Sequence, residues 1–288
     1  MKKFAIIAAA VLCVAACKAP KEAMVMARYV PERADDFVFE NNLVCGRIYG
    51  KKLEGNPTSP GIDVWVKLPG KLVANEWYSH IGEQGSEGYY HRDHGGKDCY
   101  KVATSLGAGA SAVIWQNRIM YPKTNYRSWE IVEQSPTKVV FTLHYPEWEA
   151  GDDLKIALDK TITVTPDTYF LKCEDVYTFS GADSLYVAAG VYRHLKQNTI
   201  EQEYSGTDRY AIWEKASDTK HEPEDGRIGV GVYVPGADSV CYSHGEDHGV
   251  VMKKIVSGEH FVYYFGSCWS KGDIKTFEDW FKIVKGLK

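Results

Sequence analysis

From Val139 onward the chain reads as one strand after another. Val139-Val140-Phe141-Thr142-Leu143-His144-Tyr145 alternates apolar and polar side chains, so Val139, Phe141, Leu143 and Tyr145 share a face. Leu154 to Leu158 alternates again, and Thr161 to Thr165 follows, closed by the turn pair Pro166-Asp167. Tyr169 to Cys173 and Val176 to Phe179 continue the pattern until Gly181. Further strands are expected at 185–193, 227–234, 249–256 and 260–266. A period of two, repeated at short and regular spacing with turn residues between, fits a large antiparallel β-sandwich or barrel.

One helix stands out. Phe277, Trp280, Phe281 and Val284 recur at i, i+3, i+4 and i+7, and Thr276 stands three residues before Asp279 in the manner of a capping box. It is expected to pack on the outside of the sandwich. No internal repeat or low-complexity linker interrupts the chain after residue 30, so residues 28–288 are read as a single β domain.

The first residues carry a different signal. Lys2 and Lys3 precede an apolar run from Phe4 to Ala16, shorter than the roughly 20 residues a membrane span needs. Val14-Ala15-Ala16-Cys17 resembles the bacterial lipobox. That resemblance implies a signal peptide at 1–16, cleavage before Cys17, acylation of Cys17 and a lipidated tether at 17–27. Several acyl chains on one residue anchor stably where one would be marginal. The expectation is an exported lipoprotein of the outer membrane, facing the periplasm, with cell-surface display as the alternative and the lipid as the only membrane contact. A net charge of −4 does not advertise a polyanion-binding surface, and no nucleic-acid signature appears. Beyond Cys13 and Cys17, five cysteines remain with no CxxC pair, and they read mostly as buried thiols.

Residues 82–109 depart from the strand pattern. They are rich in Gly, Tyr and titratable groups, and poor in aliphatic residues until Val102. Polar loops on a β scaffold are where chemistry concentrates. His91, Asp93, His94, Asp98, Tyr100 and Lys101 all fall here. An imidazole suits general-base work near neutral pH, and a phenol or ammonium suits an acid or charge partner. The rival readings are a solvated charged loop and a divalent-metal site at His91, His94 and Asp98, although that spacing matches no known zinc motif. Arg193-His194 closes an expected strand and places a cation and an imidazole at a sandwich edge, with an ordinary solvated strand end as the rival. In Cys45-Gly46-Arg47-Ile48-Tyr49-Gly50, alternation puts Arg47 and Tyr49 on one face, either as a carboxylate clamp or in a structural salt bridge. His244-Gly245-Glu246-Asp247-His248 reads as a surface turn.

Several segments together resemble a bacterial carbohydrate-utilisation family. They are Arg28 to Asn42, Arg47-Ile48-Tyr49-Gly50, Ser59 to Trp65, Tyr90-His91, Asp98 to Val102, Leu106 to Gly109 and Tyr263 to Trp269. The characterised kind in that family is the ulvan oligosaccharide dehydratase. The resemblance implies a supersandwich related to galactose mutarotases, and elimination of water across C4–C5 of a uronic acid at the non-reducing end of an oligosaccharide. No cofactor is implied. Cys45, Cys99 and the Gly- and Glu-rich stretch 82–88 depart from the family pattern, which leaves the glycan open.

Such an elimination needs a base for the C5 proton, an acid for the departing hydroxyl, and cations for the developing enolate-like charge. Chemistry alone suggests His91 as base, Tyr100 or His194 as acid and Lys101 as supporting cation. Arg47 and Arg193 would clamp the substrate carboxylate. Asp63, Asp93 and Asp98 would orient these groups or bind hydroxyls, and Trp65 and Tyr90 would stack on a sugar ring. A polysaccharide lyase, a mutarotase or epimerase, and a non-catalytic glycan-binding lipoprotein are the competing expectations, since fold alone does not fix function.

Overall fold

The computed structural model describes residues 23–55, 60–83, 88–151, 153–216, 225–243 and 247–288. The expected signal peptide and Cys17 lie outside them. The first strand already begins at Val25, so residues 25–27, read above as tether, belong to the fold.

Five strands form the first sheet in chain order: β1 (Val25–Val30), β2 (Asp36–Asn41), β3 (Cys45–Ile48), β4 (Ile62–Lys67) and β5 (Gly96–Asp98), all antiparallel. A short helix α1 (Ala74–Ser79) lies between β4 and β5. The chain continues through β6 (Ala108–Trp115), β7 (Arg118–Met120), β8 (Ser128–Ser135), β9 (Lys138–Gly151), β10 (Leu154–Val164), β11 (Phe170–Ser180) and β12 (Leu185–Tyr192). It closes with β13 (Ile200–Ser205), β14 (Arg209–Lys215), β15 (Arg227–Tyr233), β16 (Ser239–Ser243), β17 (His248–Ile255), β18 (His260–Trp269) and helix α2 (Phe277–Gly286). An eight-stranded sheet runs β13-β14-β15-β18-β11-β10-β9-β8, and a second five-stranded sheet runs β16-β17-β12-β6-β7.

The two smaller sheets lie side by side over one face of the large sheet. A parallel bridge between Ile62 and Gly107 joins them. Only glycine fits there, because φ is +60° and a Cβ would stand 2.2 Å from the Ile62 carbonyl oxygen. One apolar core fills the space between the layers and draws on all three sheets, through Phe37 and Phe39, through Val187 and Ala188, and through Phe141, Ile162 and Phe265. Phe37 stacks on Phe141 at 4.5 Å, and Phe39 meets Phe265 edge-on at 5.9 Å. The chain is therefore an all-β sandwich with a C-terminal helix, as the alternation implies. The segments read as 154–158 and 161–165 are one strand, as are 169–173 and 176–179. The five remaining cysteines are all free, and four of them are buried.

Helix α2 packs on the outer face of the large sheet. Trp280, Phe281 and Val284 turn inward against Phe170, Ala211 and Trp213, and the Thr276 hydroxyl accepts the Asp279 N–H at the amino-terminal cap. No helix among the described residues is long and apolar enough to cross a membrane.

Helix α1 covers the outer face of the first sheet, where Trp77 and Tyr78 pack on Val38, Cys45 and Trp65. A buried ion pair seats it. Glu40 accepts the N–H groups of Val73 (2.7 Å) and Ala74 (2.9 Å), and Lys67 Nζ lies 2.6 Å from the same carboxylate. A carboxylate facing the first N–H groups of a helix satisfies donors that have no partner within the helix.

Candidate functional site

Cross-strand pairing puts Val38, Arg47 and Asp63 in one row across the first sheet, and Glu40, Cys45, Trp65 and Asp98 in the next. The opposite faces of these strands carry the core residues Phe37, Phe39, Ile48, Ile62 and Val64. Period-two geometry thus sends every charged residue of the two rows to the outer face, beneath α1 and the 3-10 turn Tyr89–His91.

Arg47 sits at the centre. Its Nη2 lies 2.6 Å from Asp63 Oδ2 and 2.6 Å from Asp98 Oδ2, and its Nε is 4.0 Å from Asp36 Oδ2. The rings of Tyr49, Trp65 and Tyr90 stand 5.2–5.5 Å from its guanidinium carbon. Arg33 neutralises Asp36 at 2.8 Å, and the Tyr49 hydroxyl donates to Asp63 at 2.9 Å. One guanidinium between two buried carboxylates leaves one negative charge in excess. Burial, and then the Asp98 carboxylate, push the Asp63 carboxyl up to about 7, with Arg47 and Tyr49 pulling the other way. Asp63 Oδ1 has no hydrogen-bond partner among the described residues. A buried carboxyl that exchanges its proton near neutrality is a recurrent mark of functional sites.

His91 stands at the rim of this cluster, with 37% of its side chain exposed. Its Nδ1 is 3.4 Å from the Asp98 carbonyl oxygen and 3.9 Å from Asp98 Oδ2. A proton on Nδ1 directed at that carbonyl leaves Nε2 as the basic atom.

The segment 99–107 leads from β5 to the bridge between the small sheets, and two histidines hold it. His194 Nε2 donates to the Lys101 carbonyl at 2.7 Å, and His194 Nδ1 faces both oxygens of Glu214 at 2.8 and 2.9 Å. His248 Nε2 accepts the Leu106 N–H at 3.2 Å and lies 3.4 Å from the Tyr121 hydroxyl. Tyr100 packs edge-on against His194 at 4.9 Å, and Tyr192 touches both His194 and His248. Burial, then the Glu214 carboxylate, raise Tyr100 well above the ordinary phenol range. Arg193 Nη2 pairs with Glu203 at 2.8 Å. The Lys101 side chain is half-buried and has no ion-pair partner among the described residues.

The expected site residues thus fall into two adjoining groups: Arg47, Asp63, Trp65, Tyr90, His91 and Asp98 on the outer face, and Tyr100, Lys101, Arg193 and His194 at the junction of the small sheets. Several expected roles need correction. Arg47 is 2% exposed and its Nη2 is shared by Asp63 and Asp98 of the chain itself, so burial keeps it from clamping a ligand carboxylate. Trp65 is 1% exposed between Trp77 and Tyr90, and neither of its faces is open to a sugar. Tyr90 spends one face on Trp65 and is buried likewise. Both ring nitrogens of His194 are engaged, so it acts as a buried cation and not as an acid toward a ligand. Asp93 closes a turn onto the Gly95 and Gly96 N–H groups and pairs with Lys271 at 2.8 Å, outside both groups. The metal triad does not form. His94 lies flat on Tyr89 at 3.7 Å, Asp98 is turned to Arg47, and no group of His, Cys, Asp and Glu among the described residues is arranged around an ion. His248, read as part of a surface turn, is buried at the junction, while 244–246 lie outside the described residues.

Glu214, Tyr121 and Tyr192 were not singled out from the sequence, nor was the Arg33–Asp36 pair. Glu214 alone left a signal: it shares the strand register of the buried Tyr210 and Ile212, and a carboxylate on a core-facing register demands a partner.

The whole of this arrangement lies inside a matched family region. The family described as "Domain of unknown function (DUF4861)" matches residues 13–288. An uncharacterized protein, P7, of Formosa agariphila is 29% identical over 273 residues, which cover 90% of this chain and 65% of that protein. The chain thus spans less than two thirds of that relative's length.

Proposed function

This chain belongs to the DUF4861 family, and we propose that it is a carbohydrate-active lyase that eliminates water from a uronic acid at the non-reducing end of an oligosaccharide, leaving a 4,5-unsaturated uronosyl end. The observation that carries this reading is a continuous run of contacts from His91 at the rim through Asp98 and Arg47 to Asp63, a carboxyl that titrates near neutrality. The likeness of its segments to ulvan oligosaccharide dehydratases supports the choice of substrate. We further propose that the chain is exported as a lipoprotein through Cys17 and works at the outer membrane without a cofactor.

In this reading His91 Nε2 takes the C5 proton, and the C5–H electron pair becomes the C4–C5 double bond. The C4 hydroxyl leaves as water with the proton that His91 Nε2 has taken, because the Tyr100 hydroxyl is fully buried and does not reach a ligand. Lys101 holds the substrate carboxylate and offsets the charge that develops on it, with Arg193, paired to Glu203, as a fixed cation behind it. Asp98 positions His91, and the Asp63 carboxyl adjusts the charge behind it.

The test is a panel of oligosaccharides ending in a uronic acid, followed by the ultraviolet absorbance of the conjugated product and by mass spectrometry. Rising absorbance with loss of one water, abolished by His91→Ala with the melting temperature unchanged, is the expected result. Near-full turnover in His91→Ala would remove the base assignment. Absorbance with chain cleavage would make the protein a polysaccharide lyase, and epimerised sugar without absorbance would make it a mutarotase or epimerase. Binding without chemistry would leave a glycan-binding lipoprotein.

A further inference from the structure

Where β1 comes up against the β8–β9 edge of the large sheet, the surface opens into a cavity of about 330 Å³ lined by Tyr29, Asp35, Lys51, Tyr126, Arg127 and Trp129. That volume lies within the range of small-ligand sites. Trp129 is 41% exposed, yet it is fixed from behind: Tyr29 stacks on it at 5.7 Å and 23°, and Phe37 meets it at 5.6 Å. An exposed indole held by two rings is a rigid platform, and its electron-rich face suits the C–H groups of a sugar ring.

The polar groups around this platform are unbalanced. Two cations line the cavity, Lys51 and Arg127, and a third, Lys52, stands behind Asp35. Lys52 pairs with Asp35 at 3.1 Å, and Arg127 pairs with Glu54 at 2.6 Å while keeping 31% of its side chain exposed. Lys51 is exposed and has no ion-pair partner among the described residues. Three cations against two carboxylates make a local positive excess on a chain whose net charge is −4.

The floor is stiff. Ala34 and Asp35 both take left-handed backbone angles, φ 53° and 61°. The Tyr29 hydroxyl donates to Asp35 Oδ1 at 2.5 Å, and the Tyr126 hydroxyl donates to the Asp35 carbonyl. A Cβ at Gly50 would stand 1.7 Å from that same carbonyl oxygen, so the turn can sit there only because residue 50 is glycine. Strained backbone held this firmly is characteristic of ligand clamps. The next residue, Asp36, faces Arg47 on the other side of the turn. The cavity and the candidate site therefore share one rigid element.

We propose that this cavity is an accessory subsite for a second uronate ring, set apart from the ring that reacts. Trp129 stacks on the sugar face, and Lys51, with Arg127, pairs with its carboxylate. The proposal rests on the reading of the chain as a protein that handles acidic oligosaccharides, and it adds that recognition extends beyond the terminal residue.

The experiment is isothermal titration of the full chain with tetragalacturonate and with neutral galactotetraose, using the unaltered protein, Lys51→Glu and Trp129→Ala. Both variants are expected to weaken tetragalacturonate binding by about tenfold, the size of one lost charge-assisted contact. Lys51→Glu should leave galactotetraose binding unchanged. Lys51 is exposed and has no ion-pair partner among the described residues, so its variant keeps the test valid even where Trp129→Ala loosens the fold. Tetragalacturonate that fails to bind the unaltered protein, or binds Lys51→Glu equally well, overturns the subsite. Subsite-dependent binding with no unsaturated product in any assay would overturn the lyase reading alone. Turnover with a KM indifferent to both variants would overturn the subsite alone.

Discussion

At the scale of single residues, Arg47 and His194 show why a buried charge is seldom available to a ligand. Each has been taken out of water, and each is stable there because carboxylates of the same chain lie within 2.8 Å. For His194, burial would lower the pKa, but the Glu214 carboxylate outweighs it and the net shift is upward. A group whose pKa is raised by folding contributes stability below its unfolded pKa and loses that contribution as pH rises through the folded value. Stability from His194 is therefore present in mildly acidic solution and declines on the alkaline side. In His194→Gln that alkaline decline should be absent, and urea unfolding at pH 6 and pH 9 would measure it. Identical slopes in both proteins would refute the ion pair. His194→Ala should cost about 3–5 kcal/mol, because it strands Glu214 without a partner. Asp63 works in the same direction over a lower window. It holds its proton in the fold up to about 7 and releases it far earlier when unfolded, so stability falls between the ordinary carboxylate range and neutrality. Asp63→Asn should flatten that fall, read from melting temperatures between pH 4 and pH 8. A fall as steep as in the unaltered protein would show that Asp63 is ionised throughout.

At the scale of elements, the same physics decides what the sequence could announce. Helix α2 was legible because its cap, Thr276, and its apolar stripe are local. Helix α1 was not, because the carboxylate that caps it, Glu40, stands 33 residues before Val73 on a neighbouring strand. The strands of the large sheet bury one face more than the other, as the alternating burial of Leu154–Val164 shows, and so they advertise period two. Strand β2 is buried on both faces and shows no alternation to read. The candidate site inherits this unevenness. Its local run from His91 to Lys101 was visible as a composition anomaly, while Glu214 and Asp36 reach it only through strand pairing. Lys67→Met would leave Glu40 as an unpaired buried charge, at a cost of about 3–5 kcal/mol. Because α1 and the turn bearing His91 cover the same face, the variant should also lose turnover. Hydrogen exchange across 73–79 and 89–91 would report both segments. Unchanged protection in 89–91 together with lost protection in 73–79 would show that the two are not coupled.

At the scale of the molecule, the decisive feature is that three sheets share one core. Phe141 makes the point: it is fully buried in the large sheet, stacks on Phe37 and meets Phe39 at a tilt, both of the first sheet. The first sheet buries its inner apolar face only against the large sheet, and the small cluster under α1 on its outer face does not replace that support. The candidate site lies on the outer face of the first sheet and at its junction with the second, so its geometry depends on the layer beneath it. Phe141→Ala should cost about 3–5 kcal/mol through the cavity it leaves. Hydrogen-exchange protection of β2–β4 in the first sheet and of β9–β11 in the large sheet should be lost at one denaturant midpoint before and after the substitution. Two separated midpoints in the variant would mean that the first sheet holds its shape alone, and that the site could survive partial unfolding of its support. A single lowered midpoint would mean that the His91 cluster is only as stable as the sandwich that carries it.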